Sequence, residues 1–400
     1  MLINLFLIFG GVFFVFSLVS RRIQHTVLTF PILFTATGYA LHRVLMDVGG
    51  LTYSEGGFHT LAEITLILVL AADASQISLT ELKDTRGLAL RLLLIALPLI
   101  ILTGTLVGAL LFPGQPWYLM ALVAAILAPT DASLGSSVVS NEAIPKPIRR
   151  GLLIESGLND GIALPAVLFF ACFLNLMHQS GEENWLLFLA LQLSLGPIVG
   201  IAVGWLGGLL LAKAAEADWI LDTFQGVAAM ALAVIAYAAA ETVHGNGFIA
   251  AFVCGITYGC FRKQLAAFMH EFTETESQFL TQLTFFLFGA LILPEAIEQV
   301  SAAMIAYGLL SLIVIRMLPV LLSLIGSGLP AASRCFIGWF GPRGLASILF
   351  ALLILEDLEV HNAEFIQAIV ATTVALSILL HGLTAAPLSK LLVRKGHLKM

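Results

Sequence analysis

The chain has 400 residues, of which 59% are hydrophobic and 11% charged, and its mean hydropathy is +1.00. Soluble domains carry about 25% charged residues, so a soluble enzyme or binding domain is excluded and an integral membrane protein is left. The net charge of −6 matters less than where the charges sit; no nucleic-acid partner is expected, and no segment is polar and long enough to form a separate soluble domain.

Met1 to Val19 is apolar with no basic region before it, and Arg21 and Arg22 follow. A cleavable signal peptide has the opposite polarity, so this segment reads as a retained helix that starts outside the cytoplasm. About 20 apolar residues are needed to cross the hydrocarbon. Cutting at polar, Pro and Gly punctuation predicts thirteen spans: 2–19, 26–45, 58–77, 88–112, 116–140, 148–175, 186–212, 223–243, 245–261, 277–295, 300–325, 335–355 and 363–386. The fold class expected is an all-α polytopic membrane protein, a single domain over 1–400, with its N-terminus out and C-terminus in.

Basic residues mark the cytoplasmic side of membrane proteins. Arg21, Arg22, Lys83, Arg86, Arg91, Lys146, Arg149, Arg150, Lys213, Arg262, Lys263, Arg334, Lys390, Arg394, Lys395 and Lys399 fall on one side, which is 16 of the 19 basic residues. Arg43 lies opposite, and Arg316 and Arg343 sit inside spans. The other loops are acidic, with Glu182, Glu183, Glu295, Glu298, Glu356, Asp357 and Glu359. A miscounted span would scramble this alternation. Cys172, Cys254, Cys260 and Cys335 lie in or beside apolar runs without metal-ligand spacing, and Cys254 and Cys260 read as small core residues.

Thirteen spans permit an inverted repeat, 1–6 repeated as 8–13 with the seventh as linker. Transporters built this way place the ion site where two corresponding helices break near the midplane. Span 116–140 contains Ala128-Pro129-Thr130-Asp131, and span 335–355, seven helices later, contains Gly341-Pro342-Arg343-Gly344. Proline removes a backbone donor and clashes with the preceding turn. Freed backbone groups at that depth must face protein or a wet cavity. Simple proline kinks are the plainer alternative.

Between these lies Glu155-Ser156-Gly157-Leu158-Asn159-Asp160, two carboxylates and an amide inside an apolar span. Ionisable groups at bilayer depth cost roughly 2.5–3.5 kcal/mol each on insertion scales and usually mark an ion or proton path. On a helix Glu155 and Asn159 share a face, as do Ser156 and Asp160. A small alkali cation is hard and prefers oxygen ligands. Asp160, Asn159, Ser156, Thr130 and Asp131 supply them from two spans, with Glu155 at the border of the same cavity. Asp131 also stands where it could balance the helix dipole at the break in span 116–140. Arg316 is expected to neutralise Glu155 and leave Asp160 as the titrating group; the alternative is that Arg316 snorkels to the cytoplasmic end. Arg343 is expected to stabilise loose carbonyls or a carboxylate at the second break.

Other intramembrane polar residues read more plainly. Asp73 is placed at the cytoplasmic end of its span and solvated at the interface, and Glu63 and Glu241 near the outer surface. His381 is as much a hydrogen-bonded packing residue as a participant, and His59, His178 and His361 lie in or next to outer loops. Zinc, redox, nucleotide and hydrolase motifs are all missing from the sequence. An enzyme is therefore not expected, no cofactor is needed, and the driving force has to be an ion gradient.

These segments, together with Gly245-Asn246-Gly247-Phe248-Ile249-Ala250-Ala251-Phe252-Val253, Arg316 with Pro319, and Phe340-Gly341-Pro342-Arg343-Gly344, resemble the cation–proton antiporter superfamily. The likeness is to its electroneutral branch, the NhaP- and NHE-type sodium–proton exchangers with an NhaA-like fold. The resemblance implies a homodimer in the cell (inner) membrane, in contact with lipid. It implies scaffold and dimer helices at about 1–77 and 223–295, a linker helix at 186–212, and an ion-transporting core at about 88–175 and 300–386, with the two broken helices crossing. It further implies that Asp160 binds cation or proton, helped by Thr130, Asp131, Ser156 and Asn159, with Na⁺ held at Asp160, Asp131, Thr130 and Ser156. Glu155 is paired to Arg316 in that scheme. Electrogenic relatives carry Asp-Asp where this chain has Asn159-Asp160, so one proton per cation is expected. Two departures are that few residues follow the last span, so no large cytoplasmic regulatory domain is expected, and that Ala71-Ala72-Asp73-Ala74-Ser75 replaces the more usual Phe-x-x-Gly-Leu, leaving Asp73 unassigned.

The expectation is thus sodium (or lithium)–proton antiport by alternating access, with cation and proton competing for Asp160. Potassium–proton exchange, and a sodium-coupled symporter of an organic solute, remain as alternatives.

Overall fold

Pro129 and Pro342 decide the architecture, because each ends helical pairing in the middle of a buried span. The computed structural model describes residues 2–24, 26, 28–49, 57–75, 87–131, 134, 144–178, 185–261, 278–357, 360 and 362–394. Its helices are α1 (Leu2–Gln24), α2 (Phe30–Gly49), α3 (Gly57–Ser75), α4 (Leu88–Leu111), α5 (Trp117–Ile126), α6 (Lys146–His178) and α7 (Trp185–Glu216). The second half comprises α8 (Asp222–Thr242), α9 (Gly247–Gly259), α10 (Gln278–Gln299), α11 (Ala302–Ser323), α12 (Ala331–Trp339), α13 (Leu345–Asp357) and α14 (Ala363–Arg394).

The chain is an all-helical membrane protein, and among the described residues 7 helices are long and apolar enough to cross a bilayer: α4, α6, α7, α8, α10, α11 and α14. The predicted span 335–355 is two helices, α12 and α13, joined by non-helical Phe340–Gly344. Span 116–140 is helical only to Ile126 within the described residues, and 132, 133 and 135–143 lie outside them. Lys83, Arg86, Glu182, Glu183, Arg262, Lys263, Glu359, His361, Lys395 and Lys399 also lie outside the described residues.

Among the described residues three helices carry a five-residue π turn: Leu92–Ala96 in α4, Phe288–Ile292 in α10 and Ser311–Ile315 in α11. Such turns are often found at functional sites. The one in α11 closes with the Arg316 N–H on the Ser311 carbonyl, 3.1 Å, and so delivers Arg316 directly after it.

Small residues bring the surrounding helices close. Gly196, Gly200 and Gly204 of α7 lie against the carbonyls of Asn246, Ala250 and Cys254 along α9, and Gly255 and Gly259 press α9 onto Ala71 and Ser75 of α3. Leu119 through Thr130 and Phe340 through Leu353 are buried throughout, so the two interrupted spans form the centre of the molecule. Cys172 and Cys254 are buried, whereas Cys260 and Cys335 are exposed, and all four are free thiols. Cys260 is therefore not a core residue: it follows the last residue of α9, and its apolar neighbours in sequence do not enclose it.

A candidate cation site at two crossing helix breaks

Leu127–Asp131, after α5, meets Phe340–Gly344, between α12 and α13. The Asp131 N–H donates to the Pro342 carbonyl at 2.8 Å. Arg343 Nη1 donates to the carbonyls of Ala128, 2.5 Å, and Pro129, 3.1 Å. Ser347 Oγ donates to the Ile126 carbonyl, 2.8 Å, and Ser156 Oγ of α6 to the Thr130 carbonyl, 2.5 Å. A buried carbonyl left without a donor costs about 1–3 kcal/mol. Breaking α5 freed these carbonyls, and side chains from α13, α6 and the second break satisfy them.

Asp131 does not serve its own span in the way its sequence position suggests. Its Oδ2 accepts the Leu345 N–H, 2.8 Å, so the carboxylate caps the start of α13 across the crossing. An acid there satisfies an orphan donor and faces the positive end of the helix dipole. Gly344 makes room for it, since a Cβ at that position would strike the Asp131 carboxylate.

On α6, Asn159 Nδ2 donates to Thr130 Oγ1, 2.6 Å, which turns the amide oxygen the other way. Asn159 Oδ1, Asp160 Oδ1 and Glu155 Oε2 are enclosed without a hydrogen-bond partner. Arg316 Nη1 lies 2.5 Å from Glu155 Oε1, and the two side chains are only 2% and 3% exposed. Arg316 therefore does not snorkel. Gly341 leaves space for the guanidinium, where a Cβ would collide with Nε and Nη2. Buried Arg343, with no exposed surface, sits in the same electrostatic environment as Arg316 and Glu155.

Thr130, Asp131, Ser156, Asn159 and Asp160 are thus brought to one place, with the Glu155–Arg316 pair beside them. One residue was missed. Asp73 of α3, read from sequence as solvated at an interface, interacts electrostatically with both Asp160 and Asp131. The available signal was its setting: a lone carboxylate among Ala71, Ala72, Ala74 and Ser75, small residues that let α9 pack closely against it. The three aspartates do not converge into a metal cluster; among the described residues no group of three His, Cys, Asp or Glu is arranged to hold one. Away from the site, Glu63 accepts the Tyr237 hydroxyl, and Glu241 Oε1 accepts the Gly247 N–H at 2.8 Å.

A family profile described as "Sodium/hydrogen exchanger, transmembrane" matches residues 10–391. The chain belongs to this family. It is similar to the K(+)/H(+) antiporter NhaP of Alkalimonas amylolytica, 26% identical over 354 residues, covering 88% of this chain and 60% of the relative. It is also similar to the Na(+)/H(+) antiporter NhaP of Pseudomonas aeruginosa, 27% identical, covering 77% of this chain and 76% of that protein. The chain spans 60% of the length of the first of these and 41% of the K(+)/H(+) antiporter NhaP2 of a Shewanella species. Among solved structures, the sodium proton antiporter MjNhaP1 of Methanocaldococcus jannaschii has the same fold, with a TM-score of 0.76 at 19% identity, covering 97% of this chain and 99% of that one. The fold of this exchanger-family member is accordingly the one that places two interrupted helices at its centre.

Proposed function

We propose that the protein exchanges a monovalent cation for a proton across a membrane, both competing for Asp160. The observation that carries this reading is the enclosed, unpartnered Oδ1 of Asp160 beside the unpartnered Oδ1 of Asn159. A buried carboxylate oxygen without a donor is unstable as it stands, and either a proton or a hard cation satisfies it. Ser156 Oγ, Thr130 and Asp131 complete an oxygen-rich surround, with Asp73 adding charge from α3.

The electrostatics fit competition. Asp73, Asp131, Glu155 and Asp160 stand against Arg316 and Arg343. Glu155 is held by Arg316 and Asp131 by the start of α13, which leaves Asp73 and Asp160; of these two it is Asp160 whose enclosed Oδ1 has no hydrogen-bond partner, and Asp160 is the group proposed to change partners. One proton or one monovalent cation produces the same site charge, and either loaded form can cross. The empty form leaves an uncompensated carboxylate at depth, which costs several kcal/mol. Coupling follows without a separate gate.

In this reading the protein is a secondary transporter that needs no cofactor. Thirteen spans, N-out and C-in, carry a scaffold at about 1–77 and 223–295 and a moving core at about 88–175 and 300–386, in a homodimer of the inner cell membrane. Asn159 in place of a second aspartate supports one-for-one, electroneutral exchange. Sodium or lithium is the cation proposed; potassium is the second reading, favoured by the 26% identical relative named as a K(+)/H(+) antiporter. Proton flux in proteoliposomes on adding Na⁺, Li⁺ or K⁺, with and without a clamped membrane potential, separates these readings. Equal rates under both conditions support one-for-one exchange. No response to any of the three cations, without an organic solute, rejects antiport.

A further inference from the structure

The break between α12 and α13 is bounded by two backbone groups that have lost their helical partners, the Trp339 carbonyl before it, which accepts the Gly341 N–H at 2.8 Å, and the Arg343 N–H after it. Both are met by one face of α14. Arg343 N–H donates to Ser377 Oγ at 2.7 Å, and His381 Nε2 lies 2.9 Å from the Trp339 carbonyl. Ser377 Oγ and His381 Nδ1 are 3.3 Å apart. A turn further on, Thr384 Oγ1 accepts the Trp339 indole N–H at 3.1 Å, and the imidazole stacks on that indole with centroids 4.9 Å apart. Residues 377, 381 and 384 follow the helical spacing that puts them on one face.

Proton placement follows from the partners. A carbonyl has no proton to give, and His381 faces two of them, that of Trp339 at 2.9 Å from Nε2 and that of Ser377 at 3.2 Å from Nδ1; the nearer one, Trp339, assigns the single proton of the neutral ring to Nε2. In the neutral ring Nδ1 then accepts, and the donor facing it is the Ser377 hydroxyl. That hydroxyl in turn accepts from Arg343. A continuous chain therefore runs from the Arg343 N–H through Ser377 and His381 to the Trp339 carbonyl, and it spans the break. Ser377 and His381 are 0% and 1% exposed.

We propose that Ser377 and His381 are positioning residues, a clamp on α14 that fixes the width of the break and thereby sets Arg343 and Asp131 at the cation site. The route is short. Arg343, held through its own N–H, carries the guanidinium that binds the Ala128 and Pro129 carbonyls. Its neighbours Pro342 and Leu345 hold Asp131 by its N–H and its carboxylate. Neither clamp residue is placed to touch a cation. The proposal rests on the exchange reading for its kinetic consequence, but its structural consequence is separable.

The test compares His381→Leu, His381→Gln and Ser377→Ala with the unaltered protein in proteoliposomes. Apparent KM and maximal rate for Na⁺ and for K⁺ are measured across pH, and backbone hydrogen exchange is followed over 340–345. Losing one buried hydrogen bond here should raise KM about tenfold in His381→Leu and Ser377→Ala. The maximal rate should change less, and exchange should speed up at 340–345. His381→Gln, which keeps a donor for the Trp339 carbonyl, should return KM to within about threefold of the unaltered value. If His381→Leu does not fold, Ser377→Ala decides alone. Unchanged KM with unchanged exchange over 340–345, or a glutamine variant as impaired as the leucine one, overturns the clamp. If the unaltered protein moves no protons with either cation, the exchange reading fails instead. Faster exchange at 340–345 in the variants would still support the clamp, and unchanged exchange would overturn it.

Discussion

The carboxylate of Asp131, in one broken span, accepts the backbone N–H of Leu345, the first helical residue after the break in the other, at 2.8 Å. Each interruption is thus completed by a group from its counterpart, and neither break is independent of the other. Asp131→Ala should remove this cap and lower the unfolding midpoint in detergent, by an amount equivalent to about 1–2 kcal/mol. Asp131→Asn keeps an acceptor for the N–H, so it should unfold close to the unaltered protein while binding cation more weakly. Thermal unfolding with and without added cation separates the two effects.

The Glu155–Arg316 pair makes a prediction about non-additivity. Removing one partner strands a buried charge and costs about 3–5 kcal/mol. Glu155→Leu and Arg316→Leu should each be severely destabilised or fail to reach the membrane. The double variant should be more stable than either single one, as judged by unfolding midpoint. Additive losses would show that the two side chains do not act as a pair.

Gly344→Ala places a methyl group against the Asp131 carboxylate, and Gly341→Ala places one against the Arg316 guanidinium. Overpacking of this kind typically costs about 1–3 kcal/mol. Both variants should be assembled but slow in proton flux assays, Gly344→Ala through the site and Gly341→Ala through the ion pair. Alanine at exposed Gly114, whose added Cβ meets nothing within 4 Å, serves as the control.

Much of this arrangement was readable in the residues, because the bilayer makes polar groups conspicuous. Pro129 and Pro342 announced the breaks, and Glu155 through Asp160 stood out in an apolar span. Arg316 could be matched to Glu155 because a buried carboxylate needs a cation and few were available. What sequence did not disclose are relationships across elements. That Asp131 caps α13 depends on how the two breaks cross. Asp73 looked like an interfacial residue because its exposure is set by α9 and α13, not by its own neighbours. The roles of Ser377 and His381 depend on a helix packing against the second break, and spacing within α14 says nothing about what lies opposite.

Competition at one carboxylate has a pH signature. Each proton bound excludes a cation, so apparent KM for the cation should rise as pH falls, by up to about tenfold per unit when protons dominate. The maximal rate at saturating cation should stay nearly level over the same range. Proton flux recorded across a grid of cation concentration and pH checks this. A KM independent of pH would mean separate sites.

The central claim is tested most directly by Asp160→Asn in proteoliposomes carrying a trapped pH dye, driven by Na⁺ and then by K⁺. The account predicts cation-dependent proton movement in the unaltered protein and none in the variant, at matched amounts of folded protein. Full exchange by Asp160→Asn would contradict it.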